Sequence, residues 1–401
     1  MKKLLLIILT FPVFILIGCV PDTGTDSPFS RETGEHIDST GDLPPDPVVT
    51  PGPSLLPEAT PEQTPEQEPE PMPANPPSFG FIDAHADTIL RALHDKPVME
   101  QSIYEENLYR IYDNDVLHVD FKRLLEFDAP VQVFAAWLPE AFIPAAFDST
   151  NIMFDFFERE VEKHSDIIEI ALDLNDIVRI AGEGKISALL AIEGGEALEG
   201  KIENLDHFYN RGVRILGLTW NRENELGYGH ATGSLQGLKP FGMECVKRMD
   251  ELGMIIDVSH LNEAGFRDVH NTGTRPYMAS HSNAYTVLQH TRNLKDDQIK
   301  AIVESGGIIG FNMYPPFITQ NRSAVMDDVY DHLRHFIQIG AGNHIGLGCD
   351  FDGITAMPEG IDGVQSLKWL GETLADVFDE ETSYKIMEGN FYEFFKRYFE
   401  G

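Results

Sequence analysis

From Phe79 onward, apolar positions gather in short blocks separated by longer amphipathic stretches. Eight blocks stand out: 79–85, 131–138, 186–195, 213–221, 253–260, 275–282, 306–314 and 344–352. Each is close to continuously apolar, the pattern of strands covered on both faces. Between them the period changes. In 325–339, Val329, Leu333, Phe336 and Ile337 fall at i, i+4, i+7 and i+8, one face of a helix. The stretch LKDDQIKAIVESGG begins with acids and ends on glycines, the polarity of a helix start and stop. Eight strands alternating with helices predict an α/β fold, a (β/α)8 TIM-type barrel. A doubly wound open sheet is the alternative, but no GxGxxG follows the first block to mark a dinucleotide fold.

The chain before Phe79 follows other rules. Residues 1–18 carry two lysines and then an apolar run, the form of an export signal. The run closes on Leu16-Ile17-Gly18-Cys19, which resembles the lipobox of bacterial lipoproteins. That resemblance implies cleavage before Cys19, lipid modification of this residue, and a globular body exported and anchored to a bacterial membrane in the cell envelope. More than one acyl chain is what stable anchoring requires. Residues 20–78 hold fifteen of the chain's 25 prolines and twelve acids against a single Arg31. Fixed φ, missing donors and like-charge repulsion predict a disordered, extended spacer. The expected organisation is therefore a signal over 1–18, a lipidated cysteine and acidic linker over 19–78, and one barrel over 79–401.

Charge and cysteine usage narrow the classes. A net charge of −35, from 65 acids and 30 bases, excludes a general basic surface for nucleic acid and suits cations as partners. Cys19, Cys245 and Cys349 are too few and too far apart for a disulfide framework or a zinc ribbon. Cys245 and Cys349 read as packing residues.

Chemistry concentrates where the predicted strands finish, the place where barrels of this kind carry reactive groups. His85 and Asp87 close the first block, Glu193 the third, His260 the fifth, His281 the sixth, and Asp350 with Asp352 the eighth. Residues i and i+2 of a strand share a side, so His85 and Asp87 are placed to grip one cation. Most other histidines, His94, His207 and His332 among them, read as solvated. Asp350-Phe351-Asp352-Gly353 opens like a calcium loop, but the later acids of an EF-hand do not follow. Three imidazoles with two carboxylates suit zinc better than calcium or magnesium, and five ligands fit two zincs sharing a carboxylate.

The pair His85-x-Asp87, with Ile192-Glu193-Gly194-Gly195, Asp257-Val258-Ser259-His260, Ser280-His281-Ser282-Asn283-Ala284 and Gly348-Cys349-Asp350-Phe351-Asp352-Gly353, resembles the membrane dipeptidases, binuclear zinc peptidases of the amidohydrolase-type barrels. The likeness covers roughly 79–398. It implies two Zn2+ per subunit: His85 and Asp87 on the first, His260 and His281 on the second, Glu193 bridging. It implies Asp350 as the acid beside the bridging water, Arg292 on the substrate carboxylate and Tyr314 in the same pocket. One departure is plain. Where some members have a histidine holding the substrate carbonyl, this chain has Trp220, in Leu218-Thr219-Trp220-Asn221; Asn221 and His230 are the candidates for that role.

The resemblance implies hydrolysis of dipeptides to free amino acids by a metal-bridging hydroxide, with tolerance of a C-terminal D-residue and, as in many relatives, a homodimer. Asp350 would move the proton from hydroxide to leaving amine. Two other readings stand beside it: a binuclear hydrolase of another amide, lactone or ester, since fold does not set the bond cleaved, and a surface lipoprotein that binds without catalysis.

Overall fold

The computed structural model describes residues 78–93 and 110–400. The expected signal segment, Cys19, the linker up to residue 77 and His94 lie outside the described residues. The strands are β1 (Ile82–Asp83), β2 (Val131–Trp137), β3 (Ile168–Ile170), β4 (Ile186–Glu193), β5 (Val213–Gly217), β6 (Ile255–Asp257), β7 (Met278–Ala279), β8 (Ile308–Phe311) and β9 (Ile345–Leu347). Every pairing between them is parallel. The neighbours run β1-β2-β4-β5-β6-β7-β8-β9, and β9 returns to β1, so eight strands close a barrel with helices around it.

All eight predicted blocks contribute a strand. The ninth, β3, was not expected. It pairs with the first residues of β4, Ile168 against Ile186, while β5 takes the same edge of β4 further along. Three residues are too short to display a period of two, which is why the sequence conceals it.

The two faces of the strands are sorted as the alternation requires. Val131, Val133, Ala135, Leu189, Ala191, Ile215, Ile255, Met278 and Ile308 pack in one cluster with Phe391, Phe394 and Phe395 of the C-terminal helix Asn390–Glu400. Their neighbours Phe134, Ala136, Leu190 and Ile192 join the larger cluster formed with the other helices. The first face is apolar along its length and turns polar at the strand ends: Val133, Ala135, Trp137; Leu189, Ala191, Glu193; Ile255, Asp257; Ile308, Gly310, Asn312. Register aligns several of these ends, with Trp137 opposite Glu193, Glu193 opposite Gly217, and Gly217 opposite Asp257.

Two expectations need correction. The helix Met326–Gln338 buries Val329, Leu333 and Phe336 as spaced, but Ile337 remains 37% exposed, so the buried face is turned toward Tyr330. On the same helix His332, expected in solvent, is fully buried. Its Nδ1 accepts the Ala284 N–H at 3.1 Å and its Nε2 donates to the Ile318 carbonyl at 2.9 Å, so this neutral ring ties two loops to the helix. His207 is exposed as expected, and Cys245 and Cys349 are buried.

Burial pushes the His332 pKa down to about 4. Its unfolded value is about 6.5, so between these values the unfolded chain binds more protons and stability falls as pH falls. The expected penalty at pH 5 is roughly 2 kcal/mol. Denaturant unfolding at pH 7.5 and pH 5 should show that extra loss in the parent chain and not in His332→Gln. Equal pH sensitivity would rule out His332 as the source.

Candidate metal centre and active site

The site lies just past the strand ends. β1 ends at Asp83, but parallel pairing runs on past it, with the Asp350 N–H donating to the His85 carbonyl and Ala86 paired with Phe351; Asp87 is the residue before the helix Thr88–Ala92, with φ −91° and ψ 25°. His85 and Asp87 thus flank Ala86, a residue still paired in parallel with Phe351, and occupy the i and i+2 positions expected to share a side, with Asp87 at the point where the chain enters the helix. Glu193 is the last residue of β4. His260 and His281 follow β6 and β7 by three and two residues. Asp350 follows β9 with φ +61°.

The five expected ligands converge, and Glu193 stands between two sets. Its Oε2 lies 3.7 Å from His85 Nε2, which is 3.5 Å from Asp87 Oδ2. Its Oε1 lies 2.7 Å from His260 Nε2 and 3.4 Å from His281 Nε2. Within the set His85, Asp87 and Glu193, and within the set Glu193, His260 and His281, the ligand atoms are all inside 4.8 Å of one another. Asp350 forms a third such group with His85 and His281.

The surrounding hydrogen bonds identify which ring nitrogens are bare. Ser280 Oγ donates to Asp257 Oδ2 at 2.5 Å, and so accepts from His281 Nδ1 at 2.7 Å. His260 Nε2 accepts from Arg292 Nη2 at 3.1 Å, so its proton sits on Nδ1, which donates to Asn221 Oδ1 at 2.8 Å. The two Nε2 atoms thus face each other at 2.9 Å with lone pairs and no proton between them. Buried His85 Nε2 and Asp87 Oδ1 have no hydrogen-bond partner among the described residues. Bare imidazole nitrogens and carboxylate oxygens crowded together are the donor set of a divalent cation.

The electrostatics agree. Burial, reinforced by Asp87, pushes the Glu193 carboxyl well above its usual range. Burial likewise raises Asp350 to about 6, with Asp87 adding to it and His85 opposing. Burial opposes charge on His85, yet Glu193, Asp87 and Asp350 outweigh it and hold its pKa up at about 10. Burial depresses His260 and His281 well below the ordinary histidine value. The pocket concentrates more negative charge than nearby protein cations neutralise, and a dication supplies the missing charge.

A cavity of about 730 Å³ opens over this cluster, a size suited to a small ligand. Its wall includes Trp220, Asn221, His230, Tyr314 and Phe317. Trp220 packs on Trp137 with ring centroids 4.8 Å apart. Arg292 is placed differently. The residue is 2% exposed, and its guanidinium donates to the carbonyls of Ser259 and His281 as well as to His260 Nε2, with Nε unpartnered among the described residues. It lines an adjacent cavity that shares His230 with the main one.

Sequence reasoning missed several supports. Asn312, on β8's polar extension, accepts the Tyr314 N–H through Oδ1 at 2.7 Å, so its Nδ2 donates to Asp350 Oδ2 at 2.9 Å. Asn283, inside the quoted Ser-His-Ser-Asn motif, accepts the Asn312 N–H at 3.0 Å. Asp352 is a fastener: it accepts from Thr88 Oγ1 at 2.7 Å and from the His118 N–H at 2.6 Å. Asp83 was not missed: the sequence reads it as a structural acid lower in the barrel than His85 and Asp87, and it accepts the Cys349 N–H at 2.8 Å and Gln132 Nε2 at 2.9 Å, joining the first and last strands. A side chain at Gly353 would collide with the carboxylates of Asp87 and Asp350, so that turn stays bare.

A closed parallel barrel with histidines and carboxylates gathered at its carboxyl rim defines a metal-dependent enzyme site. The chain belongs to the membrane dipeptidase family, peptidase family M19, whose sequence model matches residues 77–398. It is similar to an uncharacterized dipeptidase of Schizosaccharomyces pombe, 32% identical over 264 residues, spanning 62% of this chain and 64% of that protein. Among solved structures it resembles the metallopeptidase of Rhodobacter sphaeroides bound to a phosphinate mimic of the dipeptide L-Ala-D-Ala, with 27% identity and a TM-score of 0.71 over 79% of this chain and 98% of that one. It also resembles dipeptidase AC, an M19 metallopeptidase, with 29% identity and a TM-score of 0.73 over 80% and 99% of the two chains.

Replacing Ser280 with alanine removes the acceptor for His281 Nδ1 and leaves Asp257 Oδ2 without its donor. Affinity for a divalent metal should fall about 10- to 100-fold, the usual cost of losing a ligand's outer partner. Competition against a chromophoric chelator measures it, and unchanged affinity would show that the Asp257–Ser280 relay does not orient the ring.

Proposed function

We propose that this chain hydrolyses dipeptides to free amino acids at a two-zinc centre. The observation that carries the reading is Glu193, whose two oxygens face separate ligand sets, His85 with Asp87 and His260 with His281. Family membership and likeness to dipeptidase structures support metal-dependent dipeptide hydrolysis. Three imidazoles among the ligands favour zinc, and the doubled set favours two ions. When bound, the metals polarise the scissile carbonyl and lower the pKa of water.

The remaining work falls to the chain. Asp350 lines the cavity with one oxygen held by Asn312, and it groups with His85 and His281. Its place beside the ligand sets suits a group that takes a proton from the attacking water and returns it to the leaving amine. Trp137, Trp220, Tyr314 and Phe317 give the cavity an aromatic wall that holds the dipeptide and excludes water. Arg292, the residue the resemblance sets against the substrate carboxylate, has both Nη groups on protein acceptors and its Nε free among the described residues, so a carboxylate reaching it would be met by the buried positive charge and that one N–H. Upstream, the apolar run ending at Cys19 and the acidic proline-rich stretch support a body exported and tethered to a membrane by lipid.

Chelation should abolish activity and zinc should restore it, with two zinc ions per chain by elemental analysis. Asp350→Asn should retain both ions and lose turnover by about 10²-fold or more. A panel of L,L- and L,D-dipeptides, their C-terminal amides, lactones and phosphoesters tests the substrate class. The L,D members belong there because the Rhodobacter sphaeroides relative binds a mimic of L-Ala-D-Ala. Full activity after chelation, or cleavage of lactones in preference to every dipeptide, would refute the reading.

A further inference from the structure

Asn221 follows β5 in the stretch where Trp220 stands. Its Oδ1 is 2.7 Å from His230 Nε2 and 2.8 Å from His260 Nδ1. The chemistry determines which amide atom faces the rings. His260 Nε2 accepts from the Arg292 guanidinium, which can only donate, so the ring proton is on Nδ1 and its partner must be an oxygen. His230 makes the same demand. Its Nδ1 meets Thr291 Oγ1 at 2.8 Å, where the hydroxyl can donate, leaving Nε2–H to donate to Asn221. Two N–H groups on one oxygen prevent the carboxamide from flipping.

The consequence lies at the other end of the amide. Asn221 Nδ2 carries two N–H bonds and has no hydrogen-bond partner among the described residues, and Asn221 lines the cavity shared with Glu193, His260 and Asp350. The centre beside it consists of carboxylate oxygens and bare imidazole nitrogens, all acceptors. An oxygen that gains negative charge in that cavity needs donors already in place. His230 has both ring nitrogens engaged and so does not fill that need.

We propose that Asn221 acts with both ends of its amide: the oxygen holds His260 in the tautomer that exposes Nε2, and the N–H donates to the substrate carbonyl oxygen as it becomes negative. His230 is a positioning residue that locks the amide's orientation. This rests on the hydrolytic reading of the site.

Three variants of the full chain, assayed at saturating zinc, test it. Asn221→Ala should lower kcat about 10²- to 10³-fold, the typical cost of one oxyanion donor, with KM changed less than about threefold. Asn221→Asp keeps the acceptor oxygen and should bind zinc as tightly as the parent chain, yet it should not recover kcat. His230→Ala should lose less than about tenfold, because His260 still holds the amide. Recovery of kcat in Asn221→Asp, or a loss in His230→Ala as large as in Asn221→Ala, overturns the proposal. A separate arm measures binding of a phosphinate L-Ala-D-Ala mimic to the zinc-loaded proteins. Asn221→Ala should bind it at least about tenfold more weakly, and equal affinity also overturns the proposal. If the parent chain cleaves no dipeptide, the hydrolytic reading fails, and the mimic arm still decides the role of Asn221.

Discussion

A carboxylate taken out of water must be given a counter-charge, and Glu193 imposes that requirement on the whole rim of the barrel. It is 7% exposed, within reach of Asp87 and Asp350, and flanked by imidazoles on both sides. Burying several carboxylates together is costly unless cations offset them. The structure does not supply enough: Arg292 is turned toward main-chain carbonyls, and protonation of His85 answers only one charge. The rim is therefore built around cations that the chain must bind. The bare Nε2 atoms, the unpartnered His85 and Asp87 atoms and the raised carboxyl pKa values are separate signs of that one condition.

The second layer exists to keep this arrangement in one state. Asp257 orients Ser280, Ser280 orients His281, Asn221 orients His260, and Asn312 orients Asp350. Each support sits at or just beyond the polar end of a strand whose lower part is apolar core. The same two-residue period that packs Ile255, Leu189 and Ile308 beneath the centre delivers Asp257, Glu193 and Asn312 to it. Stability and chemistry thus share one alternation. Packing below fixes strand height and rotation, and these set the directions of the polar groups above.

Much of this was legible in the residues. The eight blocks are visible because doubly covered strands have no polar face to interrupt them, and the five ligands because acids and histidines are conspicuous at the ends of such blocks. Other features were hidden for identifiable reasons. β3 is too short to show a period. His332 looks like any polar residue on a helix until the Ala284 and Ile318 backbones are seen to need its two nitrogens. Asp87 was expected within a strand, whereas it is the residue at which the chain enters a helix. Asn312 carries no sequence signal of its own, because an asparagine is read as a loop residue unless its partners are known; Asn221 was a candidate only through the resemblance, and its bond to His260 needed the fold.

The sequence by itself determined the barrel, the clustering of its chemistry at strand ends and the family, because periodicity and residue type are local properties that survive without coordinates. Tertiary structure alone decided how these groups are used: which imidazole nitrogen is bare, which oxygen of Glu193 meets which ligand set, which atom of the Asn221 amide holds His260, and where Arg292 points. Those choices are made by hydrogen bonds between residues tens to hundreds of positions apart. Direction and protonation at one atom depend on neighbours that only folding brings within 3 Å or so.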